Sequence, residues 1–446
     1  MAPARTVTVD SPVGRITGTA TDGVATFYSI PFAEFPDPFG PAAAGPKATP
    51  DRDIDATSPR PDDVALTVTA PEGTRFGADL PVLVYIHGGR FEHGSHIDEM
   101  VTGEHAARAG FIQVNLGYRL GLSGFLPFEK DTPGTYRGTD DLQLGLEWVQ
   151  RTIESFGGDP TNVTLVGQSA GAAAALWLAR KDHYRGSFRR VWAASPCFPR
   201  GDIARRKSTL RTLLSAPVTR ASLGTLHATK PEKLRRAYDR ARKIYGTDLF
   251  LGPWPYDPEE LADVPLVVTA TREEFHNLPT ARAWDAKPAP PTLRLKALAR
   301  FMGMGKDRFG FWRDRASRPQ LAGQLITDAV CRRFVVDTAN ARPQAHVATF
   351  VRSAGTKEAL HCDDLPFLFG RSSDEQAVHA ISGLLLGFAR GQALPWPEYG
   401  EEHVIADVDV STGDLEINPR SLDHVAAAMR PLRASADAAG RGLGER

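Results

Sequence analysis

The pentapeptide Gly167-Gln168-Ser169-Ala170-Gly171 stands between a β-branched run, VTLV (163–166), and an Ala-rich stretch of strong helix formers. A serine in a sharp strand-to-helix turn presents its Oγ as a nucleophile, and Gly167 and Gly171 omit the Cβ atoms that would collide there. The Ala170 N–H and the positive end of the following helix then face the oxyanion formed when a carbonyl is attacked. Acyl transfer of this kind also needs an oxyanion loop before the nucleophile, and an acid and then a histidine after it, each at the C-terminal end of a strand. His87-Gly88-Gly89-Arg90-Phe91 follows VLVYI (82–86) and fits the first requirement. The run PLVVTA (265–270) leads into Glu273 and Glu274, and HVATFV (346–351) leads into a loop that reaches His361. Composition does not separate the two adjacent carboxylates.

The elements that must position these residues are legible as alternation. VLVYI, FIQVNL (111–116), VTLV, VWAA (191–194), PLVVTA and HVATFV are near-continuously apolar, as strands covered on both faces should be. Between them, Leu142, Leu146, Val149 and Ile153 form one helical stripe, and Ala377, Val378, Ile381, Leu384, Leu385 and Phe388 another. Alternating strand and helix predicts an α/β fold with a large, mostly parallel sheet flanked by helices. The N-terminal TVTVDSPVGRITGTATDGVATFYSI predicts antiparallel hairpins, and the Pro-, Gly- and Ala-rich FPDPFGPAAAGPKATPDRD an irregular surface loop. The stretch from Arg200 to Lys243 reads as a helical insertion on the sheet, and the Ala- and Gly-rich tail after Met429 as a fraying end.

Length and charge narrow the function classes. A chain of 446 residues suggests two or three domains, but an oxyanion loop near 89, a nucleophile at 169, an acid near 274 and a base at 361 spread one site across most of it. The expectation is therefore a single domain over 1–446 with a basic helical insertion at about 200–260. The 53 basic and 53 acidic side chains cancel, so no global field draws the molecule to nucleic acid or to a membrane. Residues 200–245 hold 13 basic against 3 acidic side chains, without the aromatic interleaving of a single-strand binder, and read as a solvated helical face. Three widely spaced cysteines, Cys197, Cys331 and Cys362, form no CxxC pair and argue against a disulfide framework, which points to a reducing cytoplasm. His87, His93 and His96 fit no tetrahedral zinc spacing, so neither a metal nor a cofactor is expected.

Over residues 81–199 the chain resembles the type-B carboxylesterases, relatives of the cholinesterases in the α/β-hydrolase superfamily. IHGGRF resembles the family's HGGGF or HGGAF, YRLGLSGFL its YRxGxxGFL, and FGGDPTNVTLVGQSAGA its FGGDPxNVTLxGESAGA. Weaker likeness runs from VTVDSPVGRITG and FYSIPFA to HCDDLPFLFG and FARGQALPWPEY. The resemblance implies an α/β-hydrolase fold with Ser169 as nucleophile, Glu274 as triad acid and His361 as general base. Gly89, Arg90 and Ala170 would donate the oxyanion-hole N–H groups. Arg119 and Asp159 match a structural ion pair of the family, and Ser195 a serine beside the acid.

The implied activity is hydrolysis of small or medium acyl esters through an acyl-enzyme, with a small-molecule ester as partner and the oligomeric state left open. An esterase-like binding module, or an acyl transferase or amidase, is the alternative. Several positions depart from the family pattern. Arg90 stands where Gly or Ala is usual, its guanidinium directed outward, onto a substrate carboxylate, or into the hole. Gln168 replaces a Glu, which disfavours cationic substrates; Phe275 replaces Gly or Ala; and DDVALTV stands in place of SEDCL.

Overall fold

The run VLVYI sends Val82, Val84 and Ile86 into one buried cluster and Leu83 and Tyr85 into another, so its strand is covered on both faces. Val191 and Ala193 against Trp192 and Ala194 divide in the same way. This two-sided burial is the physical reason for near-continuous apolar runs in place of polar–apolar alternation. The computed structural model describes residues 4–430 except 46–48, 50, 202, 247, 288–291, 317–319 and 353–357. The tail predicted to fray after Met429 therefore lies, from residue 431 on, outside the described residues.

Thirteen strands form the main sheet. They are β1 (Arg5–Ser11), β2 (Gly14–Thr21), β3 (Val24–Ile30), β4 (Asp53–Asp55), β5 (Leu66–Pro71), β6 (Leu80–Ile86), β7 (Ile112–Leu116), β8 (Gly158–Gln168), β9 (Arg190–Ala194), β10 (Leu266–Thr271), β11 (His346–Val351), β12 (Ala406–Asp409) and β13 (Leu415–Ile417). Their order is β1-β2-β3-β5-β7-β6-β8-β9-β10-β11-β12-β13, with β4 paired to β2. From β7 to β12 every neighbour is parallel, while β1, β2, β3 and β5 pair antiparallel at one edge and β13 closes the other. The six predicted apolar runs are β6 to β11, and the N-terminal hairpins are present as expected. Strands β5, β12 and β13 are additions that the apolar pattern did not announce.

Both predicted helical stripes are inward faces: Leu142, Leu146 and Val149 of Arg137–Thr152, and Ala377, Ile381, Leu385 and Phe388 of Glu375–Ala389, are buried. The basic segment forms three helices, Ile203–Leu214, Arg220–Thr229 and Pro231–Ile244, between β9 and β10. Leu210, Leu214, Leu223, Leu234 and Ala241 bury against the same cluster that receives Val82 and Val84. Much of the segment's positive charge is paired. Arg206 reaches Asp248 at 2.6 Å, Arg220 reaches Asp131 at 2.6 Å, and Arg242 reaches Glu92 at 2.8 Å. Among the described residues no helix is long and apolar enough to cross a membrane.

One expected contact is corrected. Arg119 does not pair with Asp159; its guanidinium grips Asp141 bidentately, Nε to Oδ2 at 2.8 Å and Nη2 to Oδ1 at 2.7 Å. Asp141 lies on the buried face of the helix Arg137–Thr152, within reach of the inward-pointing arginine, whereas Asp159 caps its own turn by accepting the Thr161 N–H at 2.7 Å. The third guanidinium nitrogen, Nη1, donates to the Gly40 carbonyl at 2.6 Å and so binds the irregular N-terminal loop to the sheet.

Candidate active site

At the end of β8 the chain turns abruptly. Ser169 has φ +56° and ψ −117°, and the helix Ala170–Leu178 starts at the next residue. A Cβ on Gly171 would lie 2.0 Å from the Ile86 carbonyl oxygen, and one on Gly167 would lie 2.3 Å from the Gly171 carbonyl oxygen. The two glycines therefore permit an approach that no side chain allows. Two hydrogen bonds hold the turn: Ser169 N–H donates to the Ala194 carbonyl at 2.8 Å, and Cys197 N–H donates to the Ser169 carbonyl at 3.3 Å.

The loop after β6 curls in front of this turn. Gly89, Arg90 and Phe91 have φ of +98°, +61° and +62°, and the N–H groups of Glu92 and His93 both donate to the Gly89 carbonyl. Among the described residues the Gly89 and Arg90 N–H groups have no acceptor, so both remain as donors for a ligand oxygen. Of the three directions open to the Arg90 side chain, the observed one is toward the insertion: Nη2 donates to the Asp248 carbonyl at 2.9 Å and Nε lies 3.9 Å from Glu92. His87 stacks on Tyr118 with ring centroids 4.5 Å apart, and its Nδ1 lies 2.8 Å from the Gly88 carbonyl. Burial lowers its pKa to about 4, so it is neutral. His96 sits between Thr67 and the Arg60 carbonyl.

The loop after β10 separates the two carboxylates that composition left equivalent. Glu273 turns aside, its Oε2 accepting the Ala359 N–H at 2.9 Å. Glu274 is fully buried and faces His361, with Oε2 2.5 Å from Nδ1, while its Oε1 accepts the Thr271 N–H at 2.8 Å. His361 Nε2 lies 3.0 Å from Ser169 Oγ. Burial alone would lower the imidazole pKa, but the Glu274 charge and hydrogen bond outweigh it and raise it to about 9. Burial would likewise raise the Glu274 pKa, and the charge and hydrogen bond of His361 bring it down to about 2. Ser195, with φ +52°, stands beside this carboxylate and favours its ionised form.

The residues singled out from the sequence thus converge: Ser169, Glu274 and His361 form one hydrogen-bonded series, Ala170 follows the serine, and Gly89 and Arg90 follow Gly88, whose backbone abuts Ser169. A hydroxyl whose proton can pass to an imidazole backed by a buried carboxylate, beside free N–H donors, is equipped for acyl transfer. Three neighbours were not foreseen in these positions. Gln168 Nε2 lies 3.2 Å from His361 Nε2, the Phe275 ring lies 4.8 Å from the imidazole, and Cys331 Sγ lies 3.1 Å from Glu274 Oε1. Gln168 and Phe275 were visible as departures from a pattern, whereas nothing local in sequence announces Cys331. Among the described residues no group of three or more His, Cys, Asp or Glu could hold a metal ion.

Comparison with known proteins bears on the fold and the family likeness. Residues 41–207 match the carboxylesterase family. The chain is 27% identical to the para-nitrobenzyl esterase of Bacillus subtilis, over 93% of this chain and 96% of that protein. It is 28% identical to a probable N-octanoylanthranilate hydrolase of Rhodococcus erythropolis, over 81% and 85% of the two chains. A solved PNB esterase superposes with a TM-score of 0.77 at 26% identity, covering 94% of this chain and 99% of its own. The Geobacillus stearothermophilus carboxylesterase EST55, at 23% identity, shares the fold with a TM-score of 0.79 over 95% of this chain and all of that one. By its motifs, its sheet and these near full-length matches, the chain is similar to the carboxylesterases and has the α/β-hydrolase fold.

Proposed function

We propose that this protein is a serine carboxylic-ester hydrolase acting on small or medium acyl esters. The reading rests on one observation above others: the unbroken series from Ser169 Oγ to His361 Nε2 at 3.0 Å and from His361 Nδ1 to Glu274 Oε2 at 2.5 Å. Ser169 Oγ attacks the ester carbonyl carbon as its proton passes to Nε2. The Gly89, Arg90 and Ala170 N–H groups receive the tetrahedral oxyanion, and Glu274 stabilises the imidazolium. His361 then returns the proton to the departing alcohol oxygen, leaving an acyl-Ser169. Water repeats the cycle, its proton going to His361 as its oxygen bonds to the acyl carbon, and the carboxylic acid leaves as Ser169 regains its hydrogen.

The name of one relative, a para-nitrobenzyl esterase, supports an ester substrate, and that of another, a probable N-octanoylanthranilate hydrolase, supports a medium acyl chain, carried there on an amide nitrogen. Burial of the insertion helices on the sheet's own core supports one catalytic domain over the whole chain. Three free cysteines, two of them buried, support a reducing, cytoplasmic setting. The test is hydrolysis of p-nitrophenyl acyl esters together with fluorophosphonate labelling. Labelling at Ser169 and loss of both reactions in Ser169→Ala are expected, and unchanged hydrolysis in that variant would falsify the reading.

A further inference from the structure

The helix Leu321–Thr327 does not run regularly into Arg333–Ala341; between them Asp328–Arg332 form a π-helical turn. Wider turns of this kind displace side chains from the helical stripe and recur at functional sites. Here the turn, together with Thr327 just before it, meets the loop that carries Glu274 at three points. Thr327 Oγ1 accepts the Phe275 N–H at 3.2 Å, Cys331 Sγ donates to Glu274 Oε1 at 3.1 Å, and Arg332 Nη2 donates to the Arg272 carbonyl. The turn is itself pinned through Asp328, which is fully buried and accepts from Trp312 Nε1 at 2.8 Å and from Gln324 Nε2 at 2.7 Å.

We propose that this π-helical turn clamps the acid loop and that Cys331 is a positioning residue, its S–H holding the Glu274 carboxylate in line with His361. The inference rests on the proposed triad. One carboxylate oxygen serves the imidazole, and the other has two donors, the Thr271 N–H and the Cys331 S–H. A thiol is a weak donor to neutral acceptors, but a bond to a buried anion is strengthened by the charge. Without it the charge on Glu274 is less compensated and the imidazolium is held more tightly, so His361 gives up its proton at higher pH. The other ionisable groups facing the pair are the thiols of Cys197, which also hydrogen-bonds Cys331, and of Cys362, and the carboxyl of Asp364; the hydroxyl of Ser195 is a further donor to the carboxylate.

The experiment compares Cys331→Ala, Cys331→Val and Cys331→Ser with the parent protein. Alanine removes donor and volume, valine removes the donor and retains bulk, and serine retains a donor. The primary readout is the His361 titration followed by NMR of its ring in histidine-labelled protein, which needs no turnover. In the alanine and valine variants the midpoint should rise by about one pH unit, the size of one hydrogen bond to a charged group, and serine should return it toward the parent value. Turnover of a p-nitrophenyl ester at neutral pH should fall about tenfold in the same two variants with KM within twofold. Unmoved midpoints in both the alanine and valine variants, or a serine variant as displaced as they are, overturn the proposal. A parent protein without esterase activity counts against the proposed function alone, because the titration still reads the Cys331 bond.

Discussion

Arg90 Nη2 donates to the backbone carbonyl of Asp248 at 2.9 Å, joining the loop before the serine turn to the far end of the helical insertion. The Asp248 side chain in turn holds Arg206 at 2.6 Å and Arg200 at 3.5 Å. The insertion therefore reaches the backbone that would form the oxyanion hole, through one exposed guanidinium.

Removing that guanidinium should loosen the loop without opening a blocked hole. Arg90→Ala is expected to lower kcat by about fivefold, the size of one ordinary hydrogen bond, and never to raise it. Arg90→Gly should be the milder change, since φ of +61° at this position suits glycine. Steady-state kinetics on a p-nitrophenyl ester decides the order of the two variants.

The His361–Glu274 pair sets the pH response. Burial lowers the imidazole pKa, but Glu274 outweighs it and raises it from 6.5 to about 9, so kcat/KM should rise with pH through a midpoint above 6.5. Glu274→Gln should bring the midpoint down and cost turnover about 10⁴-fold. The same shifts give a stability window. The Glu274 contribution is present above 4.5 and fades as pH falls toward 2; the His361 contribution is present below 6.5 and fades as pH rises toward 9. Both act fully only between 4.5 and 6.5, which unfolding of the parent and Glu274→Gln across pH will display.

Asp364 works in the opposite sense. It is fully buried, neither carboxyl oxygen has a hydrogen-bond partner among the described residues, and burial with the nearby Glu274 charge raises its pKa from 3.8 to about 7. The folded state thus binds a proton that the unfolded state releases, and stability declines as pH climbs from 3.8 to 7. Asp364→Asn should therefore stabilise the protein at pH about 8 by about 4 kcal/mol and leave it nearly unchanged at pH about 4. Equal effects at the two pH values in denaturant unfolding would contradict this.

The two aspartates considered for Arg119 should behave very differently. Asp141→Ala leaves a buried guanidinium without its bidentate partner and should cost about 3–5 kcal/mol. Asp159→Ala removes a turn cap and should cost about 1 kcal/mol. Urea titration of both variants ranks them directly.

What the sequence made legible divides by the range of the interaction. The serine turn could be read because its demands are local: Gly167 and Gly171 are needed by atoms within a few residues or in the adjacent strand. The inner strands could be read because burial on both faces leaves an uninterrupted apolar run. Strand β5, LTVTAP, has threonine at alternate positions and holds its place through pairing with β3 and β7, so its own residues carry a weaker signal. The family resemblance implies Asp159 as the partner of Arg119, while a helix face selects Asp141. Composition leaves Glu273 and Glu274 equivalent and the family resemblance points to Glu274, the one the returning His361 loop meets; Cys331 reaches the site only through a π-helical turn that no residue type encodes.

The order of strands has a consequence for how the chain reaches its native state. Along the run β6-β8-β9-β10-β11 every hydrogen-bonded neighbour is joined by a crossover, and that between β9 and β10 contains the whole basic insertion. Pairing across such intervals is slow, and unpaired edges wait exposed while it proceeds. On the ribosome, the serine turn and the loop before it emerge long before His361. A nascent chain that ends near residue 207 carries the hydroxyl and the N–H donors but neither the acid nor the base, so competence for chemistry arrives with the last third of synthesis. Slower translation and lower growth temperature should therefore raise the yield of active protein more than they raise total protein.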